Sequence, residues 1–114
     1  MSRKKQWTVE MVDEQIKKWR LIREIIERSA TIYEYDSYET KVFKLYLKHS
    51  SVIKVAEILN QEGNRIKSAN GNRKLSTNDI SEVIKNKSIE DSELQSLVKK
   101  IFNNSKDFIN SIFN

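Results

Sequence analysis

From the N-terminus, the apolar residues Val9, Val12, Ile16, Trp19, Ile22 and Ile26 recur at steps of three and four. That period gathers them on one side of a helix and predicts an amphipathic α-helix with Thr8 as its N-cap. Trp7, just before the cap, is placed to pack on Val12 as a hydrophobic staple. On the polar side Asp13/Lys17, Glu14/Lys18 and Arg20/Glu24 form pairs of opposite charge at four-residue spacing. The pattern breaks at "YEYDSYET", residues 33–40. Asp36 followed by Glu39 is a capping-box arrangement, which starts a second helix at Ser37. Val42, Leu45, Tyr46 and His49 share one side of it. Tyr33, Tyr35 and Tyr38 stand at its entry, where tyrosines either close the edge of a core or stack on bases.

A third helix is predicted from Ser51, as N-cap, to Glu62, with Val52, Val55, Ala56 and Leu59 inward and Gly63 at C′. A fourth begins after Ser76, whose spacing to Asp79 in "STND" matches a capping box, and buries Ile80, Val83 and Ile84. The last runs from Ile89 to the C-terminus with Leu94, Leu97, Val98, Ile101, Phe102, Phe108, Ile109, Ile112 and Phe113. So wide an apolar stripe must be covered, by the first helix, by a second copy in a homodimer, or by both.

The expected fold is therefore all-α: about five helices around a helix-turn-helix-like centre whose turn is a short basic β-hairpin. One domain spans 1–114, with a basic tail at 1–7, a central core at 42–86 and an apolar terminal helix at 89–114.

Composition adds mainly exclusions. Proline is absent and only two glycines, Gly63 and Gly71, occur, so little interrupts a helix. There is no cysteine, hence no disulfide or zinc-cysteine site. No apolar run approaches the roughly 18 residues of a membrane span, so the expectation is a cytoplasmic protein without membrane contact. His49 is the only histidine, the carboxylates show no clustered pair or metal-ligand spacing, and no glycine-rich phosphate loop exists. No enzyme activity, cofactor or metal is expected.

Charge changes the picture more. Of the formal +5, residues 63–88 carry +4 and residues 1–9 carry +3, the latter from Arg3, Lys4 and Lys5. Residues 10–40 sum to −3 and residues 89–114 to −1. A basic centre between mildly acidic arms suggests a focused polyanion site, although a solvated face on a lysine-rich protein is also consistent with charge alone. The centre is "RIKSANGNRKLSTND", residues 65–79. Ile66 and Leu75 flank an Asn-Gly turn, which predicts a small hairpin carrying Arg65, Lys67, Arg73 and Lys74.

Helix, basic hairpin and capped helix together look like a helix-turn-helix with an expanded turn. The four cations would meet phosphates, as would the N-terminus of the fourth helix. Thr77, Asn78, Ser81, Lys85 and Lys87 complete the candidate DNA-binding set, with Asn78 and Lys85 suited to base edges. Asp79 is explained by its cap. Glu82 points outward and must accept from a cytosine amino group or pair with Lys85; otherwise it repels the DNA backbone and keeps the helix out of the groove.

The segment "VFKLYLKHSSVIKVAEILNQEGNRIKSANGNRKLSTNDISEVIKN", residues 42–86, resembles the DNA-binding recombinase domain of large serine recombinases. Phe43, Leu45, Tyr46, Ser51, Val55, Ala56, Leu59, Asn60, Gly63, Ser76, Ile80, Ile84 and Asn86 match its pattern. Leu75 stands where the family usually has Trp, and His49 where Gly is common. The catalytic resolvase domain and the zinc-ribbon cysteines have no counterpart. The resemblance implies contact with double-stranded DNA, without strand cleavage, and a regulatory or accessory role in a phage or other mobile element. A homodimer would present two copies of the fourth helix to half-sites about one DNA turn, roughly 34 Å, apart. The alternative is a helical interaction factor that binds a host or phage protein through its apolar terminal helices. RNA is a weaker third option, since no surface of stacked aromatics is legible.

Overall fold

The computed structural model describes residues 7–103. Five helices and one hairpin follow in the order α1 (Val9–Ser29), α2 (Tyr38–His49), α3 (Val52–Gln61), β1 (Ile66–Ser68), β2 (Gly71–Arg73), α4 (Thr77–Asn86) and α5 (Ser92–Asn103). Among the described residues the fold is all-α with a single antiparallel hairpin, as the helical periodicity and the Asn-Gly turn predict. The expected tail cations Arg3, Lys4 and Lys5 lie outside the described residues, as do Phe108, Ile109, Ile112 and Phe113.

The centre of the molecule is α2, which packs against α1, α3, α4 and α5. That placement explains why five consecutive residues, Val42 to Tyr46, are buried instead of one stripe: neighbours surround the helix. Phe43, Leu59, Ile80, Ile84 and Leu94 are the largest fully buried side chains and come from four different helices. His49, expected on the inward side, is only half-buried at the end of α2.

Side chains fix the helix starts. Thr8 Oγ1 accepts from Met11 N at 3.1 Å, and Ser51 Oγ accepts from Lys54 N at 3.2 Å. At α2 the cap is Ser37, whose Oγ accepts from Thr40 N at 3.1 Å, and the expected Asp36–Glu39 box is absent. The Asp36 carboxylate is already engaged. It accepts from Tyr33 N at 2.8 Å and from the buried Lys44 ammonium at 2.7 Å. Lys44 also donates to Thr31 O at 3.1 Å and lies 4.9 Å from the centre of the Tyr33 ring, so a buried cation has no unmet need. Burial pushes Asp36 up, but the Lys44 ammonium and the Tyr33 N–H outweigh it and hold the carboxyl below its ordinary value.

α5 starts at Ser92 and not at Ile89. Asp91 supplies the reason: its Oδ1 accepts from Leu94 N at 3.1 Å while Arg28 at the end of α1 grips it through two bonds of 2.7 and 2.9 Å. This clamp ties the C-terminal end of α1 to the N-terminal end of α5. Leu94, Leu97 and Val98 are buried within the monomer, and Phe102 meets Tyr46 edge-to-face at 5.7 Å. The described part of the α5 stripe is thus spent on the core of its own chain.

The α1 stripe behaves differently. Of its six apolar residues only Ile22 packs on the core, beside the buried Ile25 and Ser29; Val9, Val12, Ile16, Trp19 and Ile26 are 41–74% exposed. The reason is length. At 21 residues α1 is about 32 Å long, twice its neighbours, so only its last turns reach the core. Trp7 is 56% exposed, and no buried staple with Val12 forms. The radius of gyration, 17.4 Å, against about 13 Å for a compact domain of this length, reflects the elongation.

Candidate nucleic-acid interface

The basic segment is held in place by its neighbours. α3 ends at Gln61 with Glu62 as its C-cap, and Gly63 follows with φ of +91°, turning the chain out of the helix. Asn60 then acts as a peptide mimic. Its Nδ2 donates to Leu75 O at 3.0 Å and its Oδ1 accepts from Leu75 N at 2.8 Å. Leu75 is 5% exposed and belongs to the core, not to a strand. The hairpin is therefore fastened at both roots, by the end of α3 and by Leu75.

In the hairpin Ile66 pairs with Arg73, Lys67 with Asn72 and Ser68 with Gly71. The central turn residues are Ala69 and Asn70, one step before the expected Asn-Gly pair. Gly71 alone takes the left-handed conformation, at φ +107°, which a side chain would resist. Ser68 Oγ donates to Gly71 O at 2.6 Å and tightens the tip.

The four hairpin cations divide into two kinds. Arg65 is turned onto the end of α3, where Nη1 donates to Asn60 O at 3.0 Å and Asn64 O at 2.6 Å. A cation there also complements the negative end of the helix. Arg73 makes a two-pronged pair with Asp79, at 2.7 and 2.8 Å. Lys67 and Lys74 are exposed and have no ion-pair partner among the described residues. Lys87, after α4, is likewise exposed and unpaired among them.

Asp79 completes the expected capping box: its Oδ2 accepts from Ser76 N at 2.7 Å, and Ser76 Oγ accepts from Asp79 N at 3.4 Å. The Arg73 guanidinium and the Ser76 N–H hold the Asp79 carboxyl far below the usual carboxylate range. The N-terminus of α4, expected as a phosphate seat, already holds this carboxylate. Beside it, burial pushes the Tyr38 phenol up and the charge of Asp79 adds to the shift.

Ile80, Val83 and Ile84 face the core, leaving Thr77, Asn78, Glu82 and Lys85 exposed and Ser81 half-exposed. Lys85 Nζ lies 5.8 Å from the centre of the Phe102 ring. It does not pair with Glu82, which makes no ion pair among the described residues. The structure thus joins the hairpin lysines and the outer side of α4 in one continuous segment. It diverts Arg65 and Arg73 to intramolecular partners. Apart from one interval, nothing in the spacing of residues separates the four cations or marks Asn60 as the fastener, because both facts depend on which groups meet across the fold. The six-residue interval between Arg73 and Asp79 across a capped helix start was the available signal for their pairing.

Among the described residues no group of three His, Cys, Asp or Glu side chains could hold a metal ion, and no helix is long and apolar enough to cross a membrane. Compared with protein-family models, curated proteins and solved structures, the chain matches none. The likeness to a recombinase domain accordingly rests on the residues quoted for it.

Proposed function

We propose that this chain binds double-stranded DNA, with Lys67, Lys74 and Lys87 contacting phosphates and Thr77, Asn78, Ser81 and Lys85 turned toward base edges. The observation that carries the reading is the pair of unpaired lysines on a hairpin fastened directly before a capped helix. Two exposed ammonium groups held on a short, doubly anchored ribbon lose little freedom on meeting a phosphate backbone. Arg65 and Arg73 act as supports, the first closing α3 and the second joining β2 to α4. Arg73 is then a positioning residue for the helix start, and Glu82 selects for a cytosine amino donor or against close approach. The resemblance at residues 42–86 supports a non-catalytic, cytoplasmic regulator or accessory factor of a phage or other mobile element.

A second reading, an interaction factor for a host or phage protein, draws on the exposed side of α1 alone, since the described apolar residues of α5 are largely covered. Titration of the isotope-labelled protein with a short random duplex separates the two. DNA binding predicts shifted amide signals over residues 65–87 and none over residues 9–19. No shift at low salt would leave the interaction-factor reading.

A further inference from the structure

The three tyrosines at the entry to α2 meet different fates in the fold. Tyr38 packs against the core. Tyr33 and Tyr35 stay at the surface, 43% and 81% exposed, and stack on each other with ring centres 4.9 Å apart and planes 9° from parallel. That is the offset arrangement aromatic rings prefer. The stack is held from below. Tyr33 N donates to the Asp36 carboxylate at 2.8 Å and Asp36 N donates to Tyr33 O at 3.0 Å, so the turn carrying both rings is closed twice. The same carboxylate takes the buried Lys44 ammonium, which also lies over the Tyr33 ring. Tyr35 is the outermost layer, and its exposure leaves one side of the ring open to solvent.

We propose that the Tyr33–Tyr35 stack is a platform for an unpaired base of a DNA strand, which adds a third ring on Tyr35. The inference rests on the DNA-binding reading and narrows its target to duplex with an unpaired base beside it, as at an overhang or a junction.

Place, charge and shape select this occupant. Tyr38 lies close enough to the Arg73–Asp79 pair for both charges to act on its phenol. Tyr35 is three residues before it, about 11 Å of chain at most. That is about three base steps of roughly 3.4 Å each, so a strand running over the start of α4 comes within reach of the platform. Around the rings, Glu34, Asp36 and Glu39 outnumber Lys41 and Lys44. A phosphate gains nothing there, whereas the uncharged face of a base gains a stacking partner. Inside a duplex both faces of a base are covered by its neighbours, so the base that lies on Tyr35 must be out of the stack.

Fluorescence anisotropy with the full chain compares a blunt duplex, the same duplex with a short unpaired extension at the 5′ or the 3′ end, and the unpaired strand alone. One of the two extensions should raise affinity about tenfold over the blunt duplex. On binding it, the Tyr35 ring-proton signals should move upfield, as protons do over a base. Tyr35→Ala should bring the extended duplex down to the affinity of the blunt one, with helical circular dichroism intact, and Tyr35→Phe, which keeps the ring, should retain the preference. Equal affinity for blunt and extended duplexes, with the Tyr35 signals unmoved, would overturn the platform and leave the duplex reading standing. So would a preference that survives Tyr35→Ala. Binding of the unpaired strand alone, with those signals shifted, would overturn the duplex reading and keep the platform. Binding of no DNA at all would overturn both and assign the rings to a protein partner.

Discussion

Asn60→Ala removes a side chain that closes two hydrogen bonds on one buried peptide segment. The amide donates at 3.0 Å and accepts at 2.8 Å, both on Leu75, which is 5% exposed. Each bond contributes about 1 kcal/mol net, and the abandoned Leu75 N–H and C=O add a desolvation cost when water reaches them poorly. The expected loss is therefore about 2–3 kcal/mol. For a chain of 114 residues the unfolding entropy converts this to roughly 8–12 °C in Tm. Asn60→Asp keeps the acceptor but sets an oxygen against Leu75 O, so it should lose at least half as much. Thermal unfolding by circular dichroism reads the stability, and amide exchange at Leu75 reads the local release. A loss below about 0.5 kcal/mol, with Leu75 still protected, would refute the idea that Asn60 fastens the hairpin.

Ser50 ends α2 with φ of +52°, the only non-glycine residue in the left-handed region among the described ones, so Ser50→Gly should stabilise the protein by about 1 kcal/mol in denaturant melts. Asp36, Asp79 and Asp91 all titrate below their ordinary range in the fold. A depressed carboxyl contributes stability above its unfolded value and loses it as the pH falls. Tm should accordingly stay level through neutral pH and drop below about pH 4, less steeply in Asp79→Asn. Asn78→Ala and Lys85→Ala should narrow the affinity gap between a selected site and random DNA, by roughly 1–3 kcal/mol for a bidentate contact. Equal losses on every sequence would reduce α4 to backbone contact.

Much of the fold was legible because local rules and tertiary needs agree. The caps at Thr8, Ser51 and Ser76 and the inward residues of α3 and α4 follow from spacing alone, since each is decided within one helix turn. The departures arise where a distant partner intervenes. Asp36 abandons a cap because Lys44 needs a buried counter-charge. α5 starts late because Arg28 holds Asp91. Periodicity registers an apolar side on α1 without saying whether core or a second copy covers it. The same limit applies to the basic centre. Composition locates it and the turn residues shape it, but only contacts across the fold separate Lys67 and Lys74 from Arg65 and Arg73.

The salt dependence of DNA binding tests the proposed function most directly. Fluorescence anisotropy on a random duplex should give a linear fall of log affinity with log salt for the unmodified protein. The Lys67→Ala/Lys74→Ala double variant should lower that slope by about two units, equally on every sequence, with its thermal unfolding unchanged. An unchanged slope in the double variant, or no binding by the unmodified protein at low salt, would contradict the account.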